Sequence, residues 1–428
     1  MHDYLPGLSA LKAPPMYRVR QRFDEQHLGD VAAALSEQLT RDEIVSRLRP
    51  GMTVALAVGS RGIADIPLIV RTTCDFLKNQ GVNVFIVPCM GSHGGATAEG
   101  QKTVLGHLGV TEESAGVPIR SGMEVVEVGS VESKHGNDVA LYMDAIAHRE
   151  ADLVIPIVRI KPHTGFKGKV ESGICKMLTI GLGKHVGCSR LHREGMAVFD
   201  HLIPTAGEAV LAMGRIAFVV AMVENAYEQT AMIEASLPEC AIQREGELLV
   251  EAKRLISRFL MPRVDVLIIE EVGKNISGAA MDANVTGRGE LGGALADFKG
   301  PQIIRIVVLG LTKITSGNAH GIGHADIITE RVFEQIDRQM TWTNTLTAGS
   351  LGCGRLPIAL PTEEQAIMAA ASCVPGVDAA NAKIVRIKDT LSLTEIAVSE
   401  NMIHTIKQTE GCELIGPWDG RWQFDPED

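Results

Sequence analysis

Short apolar runs that end in glycine-containing polar loops recur along the first half of the chain. Residues 52–58 (MTVALAV) are followed by GSRG, and residues 82–89 (VNVFIVPC) are followed by GSHGG. A helical pattern at about 64–80 separates the two runs, and Thr97 is placed to cap a further helix that extends to about residue 108. This order of strand, loop and helix predicts a doubly wound parallel sheet.

Polar side chains occupy the loops that follow three predicted strands. Residues 152–160 (DLVIPIVRI) form the third strand, and the three loops carry Arg61, His93 and His163. Ligands of open α/β sheets lie outside the carboxyl ends of the strands, so we expect these side chains to converge on one site. Ordinary connections that each happen to contain one polar residue are the alternative interpretation.

The second half of the chain predicts another α/β domain. A charged amphipathic helix at 245–261 precedes apolar runs that start at 264 and 303. The predicted fold is therefore two α/β domains with mostly parallel, doubly wound sheets and an interdomain cleft that holds the site. We expect an N-terminal domain with the cofactor-binding loops over 1–245, a connecting helix over 246–262 and a C-terminal domain over 263–382. The tail, 383–428, is expected to return to the N-terminal domain.

Composition and charge exclude several classes of function. The chain has 41 Lys and Arg against 52 Asp and Glu, a net charge of −11, and only 4% aromatic residues. These values argue against nucleic-acid and membrane partners. The N-terminus has no secretory pattern and no apolar stretch approaches about 18 residues. None of the eight cysteines has CxxC spacing, so we expect a reduced, cytoplasmic protein.

The densest polar stretch is KPHTGFKGKVESGICK at 161–176, with four lysines and one histidine. Such a local positive field suits a phosphate, a carboxylate or another anionic ligand, although a solvated basic loop would have the same composition. Histidine can act there as a general acid or base, or as a ligand for nickel or zinc. The sequence therefore predicts an anion-binding site with acid–base or metal chemistry.

Several motifs, in this order, resemble the nickel-pincer lactate racemase family over roughly residues 50–400. Near the N-terminus they are Ser60-Arg61 and Gly91-Ser92-His93 followed by Thr97; the central ones are His163, Gly165-Phe166, Lys169, Gly173-Ile174 and His185; and the last are Trp342-Thr343, Ala348 and Leu351. Lys169 and His185 are sixteen positions apart, which is the family's spacing between its cofactor lysine and its metal-binding histidine.

The resemblance implies a nickel-pincer nucleotide as the cofactor, a pyridinium mononucleotide whose two sulfur-containing arms hold nickel. Lys169 would be joined to one arm as a thioamide, with Lys167 as a rival for this tether, and His185 would bind the metal. Further cofactor contacts are expected from Ser60, Gly168 and Lys184.

The resemblance also implies an isomerase, a racemase or epimerase that removes the α-hydrogen of a 2-hydroxy acid as hydride and returns it to the other face. His93 and His163 would flank the substrate as acid and base, and Arg61 would clamp its carboxylate. Trp342, Lys274, Asn284 and Arg288 are the expected substrate-binding residues of the other domain. The loop over 274–288 in that domain is rich in polar side chains. We therefore expect the substrate to be a sugar acid or a malate-like acid.

Two other classes of function remain open from the residues alone. One is an oxidoreductase or hydrolase of the same fold that uses another cofactor, and the other is a non-catalytic protein that binds a cofactor or an anion. The expected partners of the racemase are the 2-hydroxy acid and the cofactor-synthesis proteins of the producing cell. Nickel content and a visible absorption band would separate the racemase from both alternatives.

Overall fold

Fifteen strands and fifteen α-helices are assigned in the computed structural model, which describes residues 7–60, 63–289, 295 and 297–422. The strands are β1 (Met16–Gln21), β2 (Thr53–Val58), β3 (Asn83–Pro88), β4 (Val125–Glu132), β5 (Asp138–Asp144), β6 (Leu153–Arg159), β7 (Val219–Glu224), β8 (Thr230–Ser236), β9 (Arg263–Ile269), β10 (Gln302–Val308), β11 (Ile327–Thr329), β12 (Ile358–Leu360), β13 (Ile384–Ile387), β14 (Glu395–Ser399) and β15 (Cys412–Pro417).

The helices alternate with the strands over most of the chain. They are α1 (Val31–Leu39), α2 (Asp42–Val45), α3 (Ile66–Asn79), α4 (Ala98–His107), α5 (Glu112–Ala115), α6 (Ala145–Glu150), α7 (Ile174–Lys176), α8 (Lys184–His192), α9 (Phe199–Ala212), α10 (Ala241–Leu255), α11 (Ala283–Thr286), α12 (Glu330–Gln335), α13 (Arg338–Ala348), α14 (Glu363–Ser372) and α15 (Ile403–Gln408). A π-helical turn, Met177–Gly181, continues α7. No helix among the described residues has the length and apolar character needed to cross a membrane.

The chain divides into two units, a first unit of Asp24–Ile256 and a second unit that combines Met1–Phe23 with Ser257–Asp428. The first unit contains a five-stranded sheet of order β3-β2-β6-β7-β8, parallel except for the last pair. Alternate residues of β2 pack into different clusters, Val54 into one and Ala55 into the other. Because apolar clusters cover both faces, these strands are continuous apolar runs, as in doubly wound sheets.

The second unit is built on an eight-stranded sheet of order β12-β11-β10-β9-β13-β14-β1-β15. The strands from β12 to β13 are parallel, and those from β13 to β15 are antiparallel. Apolar clusters again lie on the two faces of the sheet. The structure thus confirms the predicted fold class, two α/β units in which parallel strand pairs predominate.

The limits of the units differ from the predicted domain boundaries at three places. Helix α10 belongs to the first unit, where Leu248 and Leu249 pack into its core, so it is not a connecting helix over 246–262. The first 23 residues belong to the second unit rather than to a domain of 1–245. The tail does not return to the first unit, because β13, β14 and β15 join the sheet of the second, where β1 pairs with β14 and β15. Such long-range antiparallel pairing leaves no local signal in the sequence.

A fully buried ion pair connects several elements of the first unit. The Lys184 Nζ atom lies 2.8 Å from Asp144 Oδ2, and both side chains are wholly buried. The lysine also donates to Pro88 O, at the end of β3, and to Gln101 Oε1 in α4. The other carboxylate oxygen of Asp144 accepts the Ala147 N–H at 2.9 Å and so caps α6. The pair therefore joins α8 to β3, α4 and the β5–α6 junction.

We expect Lys184→Met to destabilise the protein by about 3–5 kcal/mol, because it leaves the Asp144 carboxylate buried without its cation. Urea unfolding followed by circular dichroism measures this loss. Lys134→Met is the matched control, since Lys134 pairs with Asp200 at the surface and should cost about 0–1 kcal/mol. Equal, small losses in the two variants would contradict a structural role for the buried pair.

Candidate active site

The carboxyl ends of β2, β3 and β6 meet at one edge of the first unit's sheet, because these strands are parallel neighbours. Ser60 follows β2, His93 follows β3, and His163 follows β6. The Ser60 Oγ and His93 Nδ1 atoms are 2.7 Å apart, which brings the first two loops into contact. Arg61, the predicted carboxylate clamp, lies outside the described residues.

His163 is held by its own loop and is only 6% exposed. Its Nδ1 atom accepts a hydrogen bond from the Gly165 N–H at 2.9 Å, and its backbone N–H donates to Glu171 Oε2 at 2.7 Å. Its ring lies 4.5 Å from that of Phe166, centroid to centroid. Glu171 is itself fully buried and also accepts a hydrogen bond from Lys253 at 2.6 Å, which anchors the loop to α10. The orientation of the imidazole is therefore fixed on several sides.

Lys176 is the second residue of the site that lies against His163. The Lys176 Nζ atom lies 2.8 Å from His163 Nε2. Lys176 ends the short helix α7, whose Cys175 N–H donates to Glu245 Oε2 at 2.8 Å. A side chain at Gly173 would place its Cβ 2.3 Å from Glu245 Oε1, so only glycine permits this approach. Burial raises the pKa of Glu245 to about 7, against the opposing effect of its hydrogen bonds from Cys175 and Ile174.

Cys188 and His192 form a half-buried pair one helical turn apart on α8. The His192 Nδ1 atom lies 2.7 Å from the Cys188 carbonyl oxygen and 3.5 Å from Cys188 Sγ, which in turn lies 3.8 Å from Ser92 Oγ. Burial alone would raise the pKa of Cys188, but the hydrogen bond and charge of His192 outweigh it and lower the pKa. Burial would likewise lower the pKa of His192, but Cys188 raises it above its ordinary value. The pair links α8 to the loop of His93.

Positive charge surrounds His163. Burial, followed by the charges of Lys176, His192, Lys161 and Lys167, lowers the pKa of His163 well below its ordinary value. Lys167 Nζ also donates to the His163 carbonyl oxygen at 2.9 Å and lies 3.5 Å from Glu171 Oε2. At neutral pH the site therefore combines a neutral histidine with several cations, an arrangement that suits an anionic ligand and proton exchange.

The other predicted cofactor residues have different surroundings. Gly168 is half-buried, Lys169 is exposed, His185 is exposed on α8, and Lys184 is engaged in the buried pair with Asp144. Within the described part of the chain, no group of three or more His, Cys, Asp or Glu residues could hold a metal. Lys176 and His192 are also sixteen positions apart, the spacing noted for Lys169 and His185. The sequence thus contains two lysine–histidine pairs with this spacing, and only the burial and contacts of their side chains distinguish one pair from the other.

The predicted substrate residues of the second unit use their polar atoms within that unit. Lys274 Nζ donates to Gly278 O at 2.6 Å, the Asn284 side chain donates to Asp282 Oδ1 at 2.9 Å, and Arg288 pairs with Asp326 at 2.9 Å. Trp342 on α13 is 44% exposed, and its indole N–H donates to Gly354 O at 3.3 Å. Of these residues, Trp342 offers the largest accessible surface to a ligand.

Comparison with known proteins supports the fold. No protein-family model and no curated protein matches the chain. Among solved structures, the lactate racemase apoprotein from Thermoanaerobacterium thermosaccharolyticum is similar, with a TM-score of 0.51 and 15% identity over 88% of this chain and 93% of that one. A protein from Thermotoga maritima is similar with a TM-score of 0.49 and 13% identity over 70% and 72%. The chain therefore has a fold like that of lactate racemase.

We expect His163 to make the protein sensitive to acid. Its pKa is depressed in the folded state, so below about pH 6.5 the unfolded chain takes up a proton that the folded chain does not. Stability should fall by about 1.4 kcal/mol per pH unit for this group as the pH decreases, and His163→Gln should remove that contribution. Urea unfolding of both proteins between pH 7.5 and pH 5 measures the difference in slope; parallel slopes would contradict the depressed pKa.

Proposed function

We propose that this protein is a racemase or epimerase of 2-hydroxy acids that works through a nickel-pincer nucleotide. The observation that carries the proposal is His163, a buried histidine held neutral inside a cationic site, at the strand edge that also carries His93. The fold shared with a lactate racemase apoprotein supports the same reaction class. At 15% identity this likeness concerns the fold, so the chemistry depends on the residues themselves.

The two histidines supply the acid–base part of the reaction. An enzyme that interconverts two stereoisomers needs a proton acceptor for the substrate hydroxyl in either orientation, and a neutral imidazole can act as that acceptor. We propose that His163 accepts the hydroxyl proton in one orientation of the substrate. His93, whose ring is held by Ser60, would accept it in the other orientation. Lys161 and Lys167 attract the anionic groups of the ligands. Loss of the hydroxyl proton and the α-hydrogen gives a 2-oxo acid, and the reverse transfer to the other face inverts the carbon.

The donor set of the first unit fits the proposed cofactor. A hydrogen bond from His192 Nδ1 to the Cys188 carbonyl oxygen leaves the Nε2 lone pair for a metal, and the Cys188 thiol is a soft donor nearby. When bound, the cofactor supplies nickel and the position that accepts and returns hydride. We therefore propose Lys176 as the tether and His192 as the metal ligand, in place of Lys169 and His185. The lysine-rich loop would hold the phosphate of the nucleotide.

The substrate remains a 2-hydroxy acid, and we keep a sugar acid or a malate-like acid as the proposed subclass. Support comes from Lys161 and Lys167, which offer more positive charge than one carboxylate requires, although the cofactor phosphate takes part of it. The loop of the second unit lends less support than its composition suggests, because Asn284 and Arg288 are bonded to Asp282 and Asp326. Arg61 stays the proposed carboxylate clamp.

We expect His93→Gln and His163→Gln each to reduce racemisation by about 10²–10⁴-fold, since each removes the acid–base group for one orientation of the substrate. Conversion of single stereoisomers of lactate, malate and gluconate into the isomer inverted at the α-carbon, followed by chiral chromatography with cofactor-loaded enzyme, measures the effect and also ranks the substrates. His107→Gln, at an exposed position near the end of α4, is the control and should retain full activity. Near-normal turnover in either active-site variant would refute the two-base assignment.

We expect Lys176→Met and His192→Gln to lose the cofactor, whereas Lys169→Met and His185→Gln should retain it. The reason is that Lys176 contacts His163 and His192 contacts Cys188, and all four side chains are at least partly buried. The charges of Lys176 and His192 both act on His163, whereas His185 is exposed. Nickel content and the mass of the peptide spanning residue 176, from protein made in a host that synthesises the cofactor, provide the measurement without reference to turnover. Loss of nickel in Lys169→Met and His185→Gln alone would instead identify Lys169 as the tether and His185 as the metal ligand.

A further inference from the structure

Exposed apolar side chains are concentrated in one part of the second unit. Thirteen large apolar residues are exposed among the residues that the structure describes, and eight of them lie between residues 314 and 358. This stretch contains α12, α13 and β12, and β12 is the edge strand of the eight-stranded sheet. Monomeric proteins rarely expose large contiguous apolar patches, so such a concentration marks a surface that another molecule covers.

A cavity gives one part of this surface a defined shape. It has a volume of about 180 Å³ and is lined by Phe333, Glu334, Ile336, Arg338 and Leu356, which we call the α12 patch. Ile336 is buried, whereas Phe333 is 43% and Leu356 is 36% exposed. An apolar cavity of about 150 Å³ can hold a benzene ring, so there is room here for one aromatic side chain of another molecule.

The two charged residues of the patch have opposite signs and are not neutralised within the described chain. Glu334 and Arg338 are both exposed, and neither forms an ion pair or a side-chain hydrogen bond with a described residue. Although they are four positions apart, Ile336 is extended and separates α12 from α13, so the two side chains do not share a helical turn. The cavity is therefore bordered by one carboxylate and one guanidinium that are available to a partner.

We propose that the α12 patch is the contact surface of a symmetric homodimer. In a two-fold contact both copies use the same surface, so each pairing of unlike groups occurs twice. Glu334 of each copy then pairs with Arg338 of the other. The Phe333 ring of each copy enters the cavity of the other beside Leu356.

A second copy fits this surface better than an unrelated partner because the patch is complementary to itself. It supplies an acid and a base in equal number, and an exposed ring next to a cavity. A partner with charge of one sign would leave either Glu334 or Arg338 unpaired in the contact, which is unfavourable. A stable dimer buries about 800 Å² on each partner, and the exposed Met340 on α13 extends the patch towards that area.

Sedimentation velocity of the full-length protein over a range of concentrations measures the mass and the dissociation constant. We expect a dimer at micromolar concentration. Phe333→Glu should raise the dissociation constant at least about thirtyfold, the loss typical of a central contact residue. Val250→Glu is the control, since Val250 is a 64% exposed apolar residue on α10 of the first unit and should leave the dimer unchanged. Circular dichroism verifies that both variants are folded.

Reversal of the charges tests the pairing itself. Glu334→Arg and Arg338→Glu should each weaken the dimer about tenfold, because the two-fold symmetry places like charges together at two contacts at once. The double variant with both substitutions exchanges acid and base and restores both pairs. Its dissociation constant should therefore return close to that of the unaltered protein. An unrelated partner would give no such recovery in the purified protein.

A purified protein that is monomeric at all of these concentrations would overturn the proposal and assign the patch to a different partner. A dimer that Phe333→Glu leaves intact would also overturn it, since the contact would then lie elsewhere. Failure of the double charge reversal to recover would refute the two-fold pairing of Glu334 with Arg338. The measurement requires neither nickel nor nucleotide and no turnover, so its outcome is independent of the proposed racemase activity.

Discussion

The parallel order of β3, β2 and β6 is the constraint on which the rest of the candidate site depends. Parallel strands end at the same edge of a sheet, so the loops that follow them are neighbours whatever their sequences. Close backbone packing then joins the loop after β3 to the π-helical turn, where the Gly91 N–H donates to Gly181 O at 3.2 Å. A Cβ atom at residue 181 would lie 2.6 Å from Cys89 Sγ, so glycine is required at that contact.

Two buried carboxylates organise the basic loop over 161–176. Glu171 accepts the His163 backbone N–H and a hydrogen bond from Lys253, whereas Glu245 accepts the N–H at the start of α7. A buried charge or polar group is stable only when its partners are in place, so these contacts restrict the loop to one conformation. The cations and the neutral histidine are then presented together, as anion binding and proton exchange require.

Several features of the site could be predicted from the sequence, because the pattern of apolar runs and glycine loops is local. The strands that precede His93 and His163 follow from the apolar runs at 82–89 and 152–160. The choice between lysine–histidine pairs could not be predicted, since Lys169 with His185 and Lys176 with His192 have the same spacing. Helix α8 leaves His185 exposed and holds His192 half-buried against Cys188, and that difference arises only from packing.

The sequence by itself determined the α/β class, the positions of the buried parallel strands and the concentration of positive charge around His163, because each depends on residues close together along the chain. Only the tertiary structure decided that β1 and the C-terminal strands complete the sheet of the second unit. It alone also paired Lys184 with Asp144 and brought Lys176 against His163. Contacts between distant segments depend on packing and on the burial of charge, which no local pattern of residues encodes.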